Sequence, residues 1–231
     1  MITSMRRLAR IVAVALITAG VVILADVVAT LVWKEPLSAV YASVRQNEAA
    51  DQLDTVSDEF LGDPAVAGVG GAGDSPHRAE QLADLFAKKL QDGKAIGRIK
   101  IPAIDADYVL IEGTEEADLE RGPGHYSDTA LPGQGRTVAI AGHRTTYGAP
   151  FNQIDKIEKG DSITVEMPYG TFSYTVTNTK IVDPSQTGIV DDVGRERLVL
   201  TSCHPLYSAA QRYAVFADLD RIELTEPAAG G

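Results

Sequence analysis

The fold class is decided by the stretch SITVEMPYGTFSYTVTNTKIV, residues 162–182. Within it, Phe172, Tyr174 and Val176 alternate with threonine and serine, which places the apolar side chains on one face of a β-strand. The sequence Pro168-Tyr169-Gly170 is typical of a turn that joins two strands. This stretch therefore predicts two neighbouring strands with one apolar face.

Short alternating segments of the same kind occur from residue 95 onward. The candidate strands are Gly97–Ile101, Tyr108–Glu112, Thr137–His143, Ser162–Met167, Thr171–Val182, Leu198–Ser202 and Tyr213–Leu219. Seven or eight strands within about 130 residues, with only short helical stretches between them, predict a mainly β fold. The residues alone leave open whether this is a closed barrel or a sandwich.

The composition is that of a globular protein with an acidic surface. Hydrophobic residues make up 45% of the 231 residues and charged residues 23%, which excludes a wholly disordered chain. The formal net charge is -11, and Arg6, Arg7 and Arg10 lie in the first ten residues, so the remainder is more acidic still. Because such a surface repels phosphate backbones, no nucleic acid partner is expected. With a single cysteine, neither an intramolecular disulfide nor a zinc site of several thiolates can form.

An apolar segment near the N-terminus predicts a transmembrane anchor. Residues 11–33 contain one charged residue, Asp26. As a helix they would reach about 35 Å, enough to cross a hydrocarbon layer of about 30 Å. The basic residues 1–10 favour a cytoplasmic N-terminus, so the remainder would lie outside a single-pass cell membrane. The alternative is a cleaved signal peptide with residues 11–25 as its apolar core, which also places the remainder outside the cytoplasm.

Helical and flexible segments are predicted between this anchor and the β domain. Apolar residues at three- and four-residue spacings indicate a helical stalk over 35–60, and the glycine- and alanine-rich residues 61–74 indicate a flexible linker. Ser75 followed by Pro76 predicts another helix, which ends near Gln91. The predicted organisation is a basic tail at 1–10, an anchor at 11–33, a stalk and linker at 34–94, a β domain at 95–226 and a disordered tail at 227–231.

Three reactive side chains stand next to predicted strands. Cys203 follows the apolar strand Leu198–Ser202, His143 ends another apolar strand, and Arg212 directly precedes the strand Tyr213–Leu219. Although these residues are far apart in the sequence, the strand ends of a barrel can bring them together at one rim.

These residue types suit nucleophilic acyl transfer. A free thiol is only about 3% ionised at pH 7, so a cysteine nucleophile needs help from a base. An imidazole can take the proton and later give it to a leaving amine. A guanidinium stays protonated and suits a developing oxyanion or a substrate carbonyl. The candidate catalytic residues are therefore Cys203, His143 and Arg212.

Each residue also has a plainer interpretation. A lone cysteine at the end of an apolar strand can be a small buried hydrophobe, and Arg212 can be a solvated strand arginine. His204 is expected to point away from the sulfur and to be structural, whereas His125 and His77 are expected at the surface. An exposed thiol is a liability in an oxidising compartment, which favours a functional role for Cys203.

Two stretches carry a resemblance to a known family. Leu200–Pro205 reads LTSCHP, with Arg212 nine residues after the cysteine, and Gly142–Phe151 reads GHRTTYGAPF. Together they resemble the signatures of the sortases, cysteine transpeptidases of Gram-positive envelopes, and most of all the class E sortases of actinobacteria.

The resemblance extends over roughly residues 95–224. It includes Gly122–Tyr126 and Gly160-Asp161. The chain departs from the family pattern at Val199 and Ser202, because sortases usually have threonine at both positions.

This resemblance implies a fold and a reaction. The fold would be a closed eight-stranded β-barrel with short helices, whose groove binds the C-terminal sorting signal of a secreted protein. Cys203 would attack the carbonyl after a threonine to give a thioester, with His143 as acid and base and Arg212 steadying the oxyanion. An amine acceptor, such as a peptidoglycan precursor, would then resolve the thioester.

The resemblance also suggests which residues contact the substrate. Class E sortases are associated with an LAXTG-type signal in place of LPXTG, and a tyrosine in the loop before the histidine strand is linked to that preference. Tyr126 occupies a suitable place, Tyr147 is its competitor, and Thr201 and Ser202 adjoin the thiol. No cofactor is implied, and the acidic side chains over residues 105–120 are expected to be solvated rather than to bind calcium.

Other protein classes fit less well. An L,D-transpeptidase also uses cysteine, histidine and arginine, but with a different spacing, and a papain-like hydrolase has its cysteine before its histidine. The remaining alternative is a catalytically inert, membrane-tethered β-barrel that acts as a binding module.

Overall fold

The computed structural model describes residues 2–33, 36–69 and 75–225. The chain divides into two compact units, Met1–Val40 and Tyr41–Gly231. The tail that was predicted to be disordered lies outside the described residues.

The first unit consists mainly of one long helix, α1, at Ile2–Trp33. Apolar side chains along it are exposed, including Ile11, Leu16 and Leu24, at 66%, 69% and 65% of their surface. Among the described residues, no helix meets the combined requirements of length and apolar character for crossing a membrane. The membrane anchor over residues 11–33 therefore stays a prediction from the sequence.

The second unit contains a closed eight-stranded barrel. Its strands are β1 Ala95–Ile101, β2 Ala106–Glu112, β3 Gly124–His125, β4 Thr137–Ala141, β5 Ser162–Met167, β6 Gly170–Val182, β7 Arg197–His204 and β8 Gln211–Leu224. They are hydrogen-bonded in the order β1-β2-β3-β4-β7-β8-β6-β5, and β5 pairs with β1 to close the sheet. Neighbours are antiparallel except for two parallel pairs, β2–β3 and β4–β7. The structure thus confirms the barrel rather than the sandwich.

The hairpin at residues 162–182 is formed as the alternation predicts. Met167 of β5 pairs with Gly170 of β6 across the turn. Phe172 and Tyr174 are fully buried and Val176 is 1% exposed, so the apolar face of β6 fills the barrel interior. A sheet with one buried face fixes its register, because a slip of one residue would turn these rings outward.

Two strand ends differ from the sequence prediction. The strand predicted over Thr137–His143 ends at Ala141, since the chain turns back after it and Phe151 N donates to the carbonyl of His143 at 3.1 Å. Strand β7 continues through Cys203 to His204, two residues beyond its predicted end. The thiol therefore lies on the sheet rather than just after it.

After α1, three helices precede the barrel in the chain, and a fourth follows β2. They are α2 Pro36–Leu61, α3 Pro64–Ala67, α4 Pro76–Ala87 and α5 Glu116–Leu119. From Tyr41 onward, α2 lies along β2, where the Gln46 side chain accepts from Val109 N at 2.7 Å and donates to Arg121 O at 2.6 Å. A helix held in this way supports the barrel directly.

The flexible linker predicted over residues 61–74 is wrong for residues 61–69, and residues 70–74 lie outside the described residues. Asp63 caps the helix α3 by accepting from Ala65 N at 2.9 Å, and it also pairs with Lys89 at 2.6 Å. Val66 is only 4% exposed and packs into the core. Although this segment is rich in glycine and alanine, its cap and one buried valine are enough to order it.

An aromatic cluster joins the helices to one end of the barrel. Phe60 of α2 meets Phe86 of α4 with ring centroids 5.1 Å apart, edge to face. Both rings contact Tyr169, which in turn meets Phe172 at 5.7 Å. Since Phe60 is fully buried, the end of the predicted stalk is part of the core.

We predict that Phe60→Ala lowers the free energy of unfolding by about 3–5 kcal/mol, because it empties a fully buried aromatic site. Val44→Ala, on the same helix at a side chain 50% exposed, should change it by less than about 0.5 kcal/mol. Urea unfolding of both variants measures the difference. Equal, small effects would mean that α2 is a stalk independent of the barrel.

Candidate active site

Cys203 and Arg212 face each other across two antiparallel strands. The register of β7 and β8 pairs Cys203 directly with Arg212, so both side chains lie on the same face of the sheet. Leu200 and Val215, three residues away along each strand, pair with one another and belong to the core. Because side chains alternate, Cys203 and Arg212 are on the outer face of the barrel.

The parallel pairing of β4 and β7 brings His143 to the same place. Ala141 pairs with Thr201, and Gly142 N continues the ladder by donating to Thr201 O at 3.0 Å. Two residues further along both segments, this register sets His143 beside Cys203. Thus β7 and β8 supply Cys203 and Arg212, and the segment that directly follows β4 supplies His143.

Glycine precedes the histidine for a steric reason. A Cβ at Gly142 would come within 2.5 Å of the Phe151 ring, which is fully buried beneath it. Any other residue would push that ring or the histidine segment out of place.

The Cys203 thiol is partly exposed, as a nucleophile must be, whereas its neighbour Ser202 faces the other way. Ser202 is 3% exposed and donates to Gly142 O at 2.7 Å, which adds a side-chain link between β7 and the histidine segment. The structure therefore does not place Ser202 with the other predicted substrate-binding residues.

His143 is half-buried, and this controls its charge. Its Nε2 is shielded from solvent and has no hydrogen-bond partner within the described residues. Burial lowers the pKa of the His143 imidazole below its ordinary value of 6.5, while the negative charges of Glu120 and Glu116 oppose that shift. The lowered pKa favours the neutral imidazole at pH 7, which is the form that can accept a proton.

Tyr147 covers the histidine ring. The two ring centroids are 5.1 Å apart, and the backbone at Tyr147 has φ of +50° in the left-handed region. A hydrogen bond to Glu120 raises the pKa of the Tyr147 phenol and fixes its orientation. This ring therefore connects the His143 imidazole to the carboxylate that favours its protonation.

A small cavity lies beside Arg212 on the outer face of the sheet. Its volume is about 100 Å³. Tyr126, Thr201 and Arg212 line it, together with the last residue of β6 and the segment after it, over residues 182–190. The hydroxyls of Tyr126 and Thr201 are hydrogen-bonded at 2.9 Å. Two of the predicted substrate-binding residues thus share a cavity with a candidate catalytic residue. A larger hollow of about 560 Å³ lies between α2 and β1 and includes none of them.

The loop that carries Tyr126 is held by a buried histidine. His125 was predicted at the surface, yet it is 2% exposed and its Nδ1 lies 2.8 Å from a Glu112 carboxylate oxygen. Its Nε2 faces Ala130 O at 3.0 Å and the Thr129 hydroxyl at 3.2 Å, and that hydroxyl donates to Tyr126 O. This network could not be predicted from the sequence, because a glycine- and proline-rich stretch shows no periodicity.

Sequence reasoning also missed a buried arginine. Arg144 is 4% exposed, and its guanidinium donates to the carbonyl of Cys203 and to Nδ1 of His204. The His204 ring packs against Tyr213 at 5.8 Å, which agrees with the structural role expected for it. Within the described residues, no cluster of histidine, cysteine, aspartate or glutamate has the arrangement of a metal site.

The family of the chain follows from its similarity to known proteins. The sequence model of the sortase domain family matches residues 99–220. This part of the chain forms most of the barrel and the whole candidate site. The chain belongs to the sortase family. Sortases are cysteine transpeptidases, so this chain is a sortase-type enzyme.

Three proteins place this sortase near class E. Sortase SrtE2 of Streptomyces coelicolor is 32% identical over 226 residues, which cover 90% of this chain and 80% of that protein. The structure of sortase E from Streptomyces avermitilis is 31% identical, with a TM-score of 0.54, and covers 61% of this chain and 97% of that chain. Sortase E1 of Streptomyces coelicolor, solved with a tripeptide in the active site, is 27% identical, with a TM-score of 0.54 over 61% and 99% of the two chains.

The serine before the sortase cysteine is a mild departure from the family pattern. The Ser202 hydroxyl bonds to the Gly142 carbonyl behind the sheet, and a threonine hydroxyl could make the same bond. The departure thus leaves the thiol face of β7 unchanged.

The His143 imidazole should titrate below 6.5 in the folded sortase, because burial opposes its charge. Glu120→Gln removes a carboxylate that favours the charged form, so it should lower the midpoint further. NMR titration of the histidine rings in a Cys203→Ala background measures both shifts. Glu59→Gln, which is remote from this ring, is the matched control and should leave the midpoint unchanged. A midpoint at or above 6.5 would contradict the role of burial.

Proposed function

We propose that this sortase cleaves a C-terminal sorting signal of the LAXTG or LPXTG type and transfers the protein to an amine acceptor of the cell wall. The observation that carries the proposal is the strand register, which pairs Cys203 with Arg212 and, continued two residues past Ala141 and Thr201, sets His143 beside Cys203. Thioester chemistry requires a partly exposed thiol, a neutral imidazole and a guanidinium. Cys203, His143 and Arg212 provide these groups.

In the first half of the reaction, the peptide is cleaved. The Cys203 thiol gives its proton to the neutral His143 imidazole while Sγ attacks the carbonyl carbon of the signal threonine. The Arg212 guanidinium stabilises the oxyanion that forms. The carbon–nitrogen bond then breaks, and the His143 imidazolium gives its proton to the departing amine, which leaves a thioester on Cys203.

In the second half, the thioester is resolved. The amine of the acceptor, such as a peptidoglycan precursor, attacks the thioester carbon and loses a proton to His143. The Cys203 sulfur leaves and takes that proton back. Because the thioester preserves the free energy of the cleaved peptide bond, the new amide forms outside the cell without a nucleotide.

The peptide is proposed to lie along the outer face of β7, next to the cavity at Tyr126. Tyr126, Thr201 and Arg212 line that cavity, together with polar and apolar residues at the end of β6 and after it. A tripeptide is present in the active site of the similar sortase E1 of Streptomyces coelicolor. Tyr126 is the candidate residue for discriminating alanine from proline in the signal. Tyr147, whose ring packs against the His143 ring, is the alternative candidate for the same role.

Incubation of the full-length sortase with an LAXTG peptide should add the mass of the acyl fragment to Cys203, and hydroxylamine should remove it. Cys203→Ala and His143→Ala should each reduce peptide cleavage by at least about 1,000-fold, because they act as one unit. His204→Ala should retain at least about a tenth of the activity, since this ring is not placed to exchange the proton.

Mass spectrometry of the intact protein, with the LPXTG peptide run in parallel, distinguishes the outcomes. An adduct in the Cys203→Ala variant would refute the assigned nucleophile. If neither peptide gives an adduct while Cys203 still reacts with iodoacetamide, the proposed sorting signal is wrong.

Attachment to the cell membrane through residues 11–33 is part of this proposal. The segment carries one charge in 23 residues and follows three arginines, which favours a cytoplasmic N-terminus and an extracytoplasmic barrel. An anchor would raise the effective concentration of secreted substrates and lipid-linked acceptors around the active site.

The full-length chain should remain in the membrane fraction after a sodium carbonate wash, whereas a chain without residues 1–33 should be released. Mass spectrometry of the membrane-bound form should show an intact N-terminus. A mature protein that begins shortly after residue 25 would instead show that a signal peptide is removed.

A further inference from the structure

Arg144 is a buried cation directly after the candidate catalytic histidine. Its side chain is 4% exposed, although it belongs to a loop in which charged groups usually reach solvent. A buried guanidinium is costly unless its donors are paired, so its contacts indicate what it stabilises.

The first set of contacts reaches the end of β7. Arg144 Nη1 donates to the carbonyl of Cys203 at 3.3 Å and to His204 Nδ1 at 2.9 Å. One nitrogen with two hydrogens thus holds both the residue that bears the thiol and the residue that follows it. Since the guanidinium only donates, Nδ1 of His204 is the acceptor in this contact.

The second set of contacts fixes the arginine within its own loop. Nη2 pairs with the Asp155 carboxylate at 2.8 Å, and Nε donates to Asn152 O at 3.3 Å. The Asn152 side chain returns the contact by donating to Arg144 O at 2.8 Å. The guanidinium fork therefore spans two segments, which a lysine ammonium cannot do with the same geometry.

This bridge lies where the sheet no longer holds the two catalytic segments together. Pairing of β4 with β7 ends at Ala141 and Thr201, and the last backbone hydrogen bond between these two segments, in the part of the chain described, is from Gly142 to Thr201. His143 and Cys203 lie beyond it. Arg144 and the Ser202 hydroxyl are then the side chains that keep these ends in register.

We propose that Arg144 is a positioning residue for the transpeptidase reaction: it holds the Cys203–His204 end of β7 against the His143 segment and thereby sets the separation of thiol and imidazole. The inference rests on the catalytic roles proposed above for Cys203 and His143. Acyl transfer depends steeply on such geometry, and a displacement of about 1 Å can cost about 100-fold in rate.

The test compares Arg144→Met with Arg144→Lys and Asp155→Asn in the full-length chain. Arg144→Met removes every contact, Arg144→Lys retains the charge and part of the hydrogen bonding, and Asp155→Asn removes the ion pair but leaves the contacts with Cys203 and His204. Rates of acylation by the LAXTG peptide are normalised to the folded protein, measured by circular dichroism and by thiol content.

Arg144→Met should lower kcat by about 100-fold with KM changed by less than about threefold, and Arg144→Lys should fall between it and the wild type. Asp155→Asn should lower the thermal stability but keep kcat within about threefold of the wild type. In 15N NMR spectra, the His204 Nδ1 resonance should shift in Arg144→Met and stay unchanged in Asp155→Asn.

A kcat of Arg144→Met within about threefold of the wild type would overturn the positioning role while leaving the thioester reaction intact. If Arg144→Met does not fold, the kcat of Arg144→Lys and its His204 resonance decide the question, and wild-type values for both would overturn it. A wild-type enzyme that forms no acyl adduct would instead refute the proposed function, and the inference with it.

Discussion

The site depends on the position of β7 between a parallel and an antiparallel neighbour. Its antiparallel register with β8 sets Arg212 opposite Cys203, and its parallel register with β4 sets His143 alongside. Both registers are fixed by the apolar residues that alternate into the barrel, such as Leu200 and Val215. The core therefore determines where the outer-face side chains stand, and a shift of one residue in either pair would separate the three groups.

The electrostatics of the histidine are a balance rather than a single effect. Burial favours the neutral ring, whereas Glu116 and Glu120 favour the charged ring. Burial is the larger effect, so the pKa of the imidazole lies below its ordinary value, and the two carboxylates limit that fall. A residue that accepts a proton in one half of a reaction and donates it in the other benefits from that limit. Tyr147 is hydrogen-bonded to Glu120 and packs against the His143 ring. The loop after His143 therefore affects the charge of the imidazole as well as its burial.

Much of the barrel could be predicted from the sequence, because half-buried strands alternate. The strand β3 could not, since two residues, Gly124 and His125, are too short to show a pattern. The helix α3 was missed for another reason. Asp63 before Pro64 is a recognisable helix start, but the glycines and alanines around it are typical of a flexible linker.

The candidate site, too, could be predicted only in part from the sequence. Cys203, His143 and Arg212 could be found because they stand at strand ends and carry reactive groups, and the parity of β7 alone would have shown that Ser202 faces away from Cys203. Arg144 could not be found, because its partners lie 8 to 60 residues away and meet it only after the loop folds back. The burial of a cation depends on the tertiary structure, and no local sequence pattern predicts it.

The docking of α2 changes where the catalytic domain begins. A recombinant fragment cut at residue 95 would keep all eight strands yet lose the helices α2, α3 and α4. Tyr169 would then lack the Phe60 and Phe86 rings that pack on it, and Val109 of β2 would lack the Gln46 side chain. Such a fragment would be prone to aggregation for reasons unrelated to the active site. The compact unit that holds the catalytic barrel therefore begins near residue 41, well upstream of the first strand.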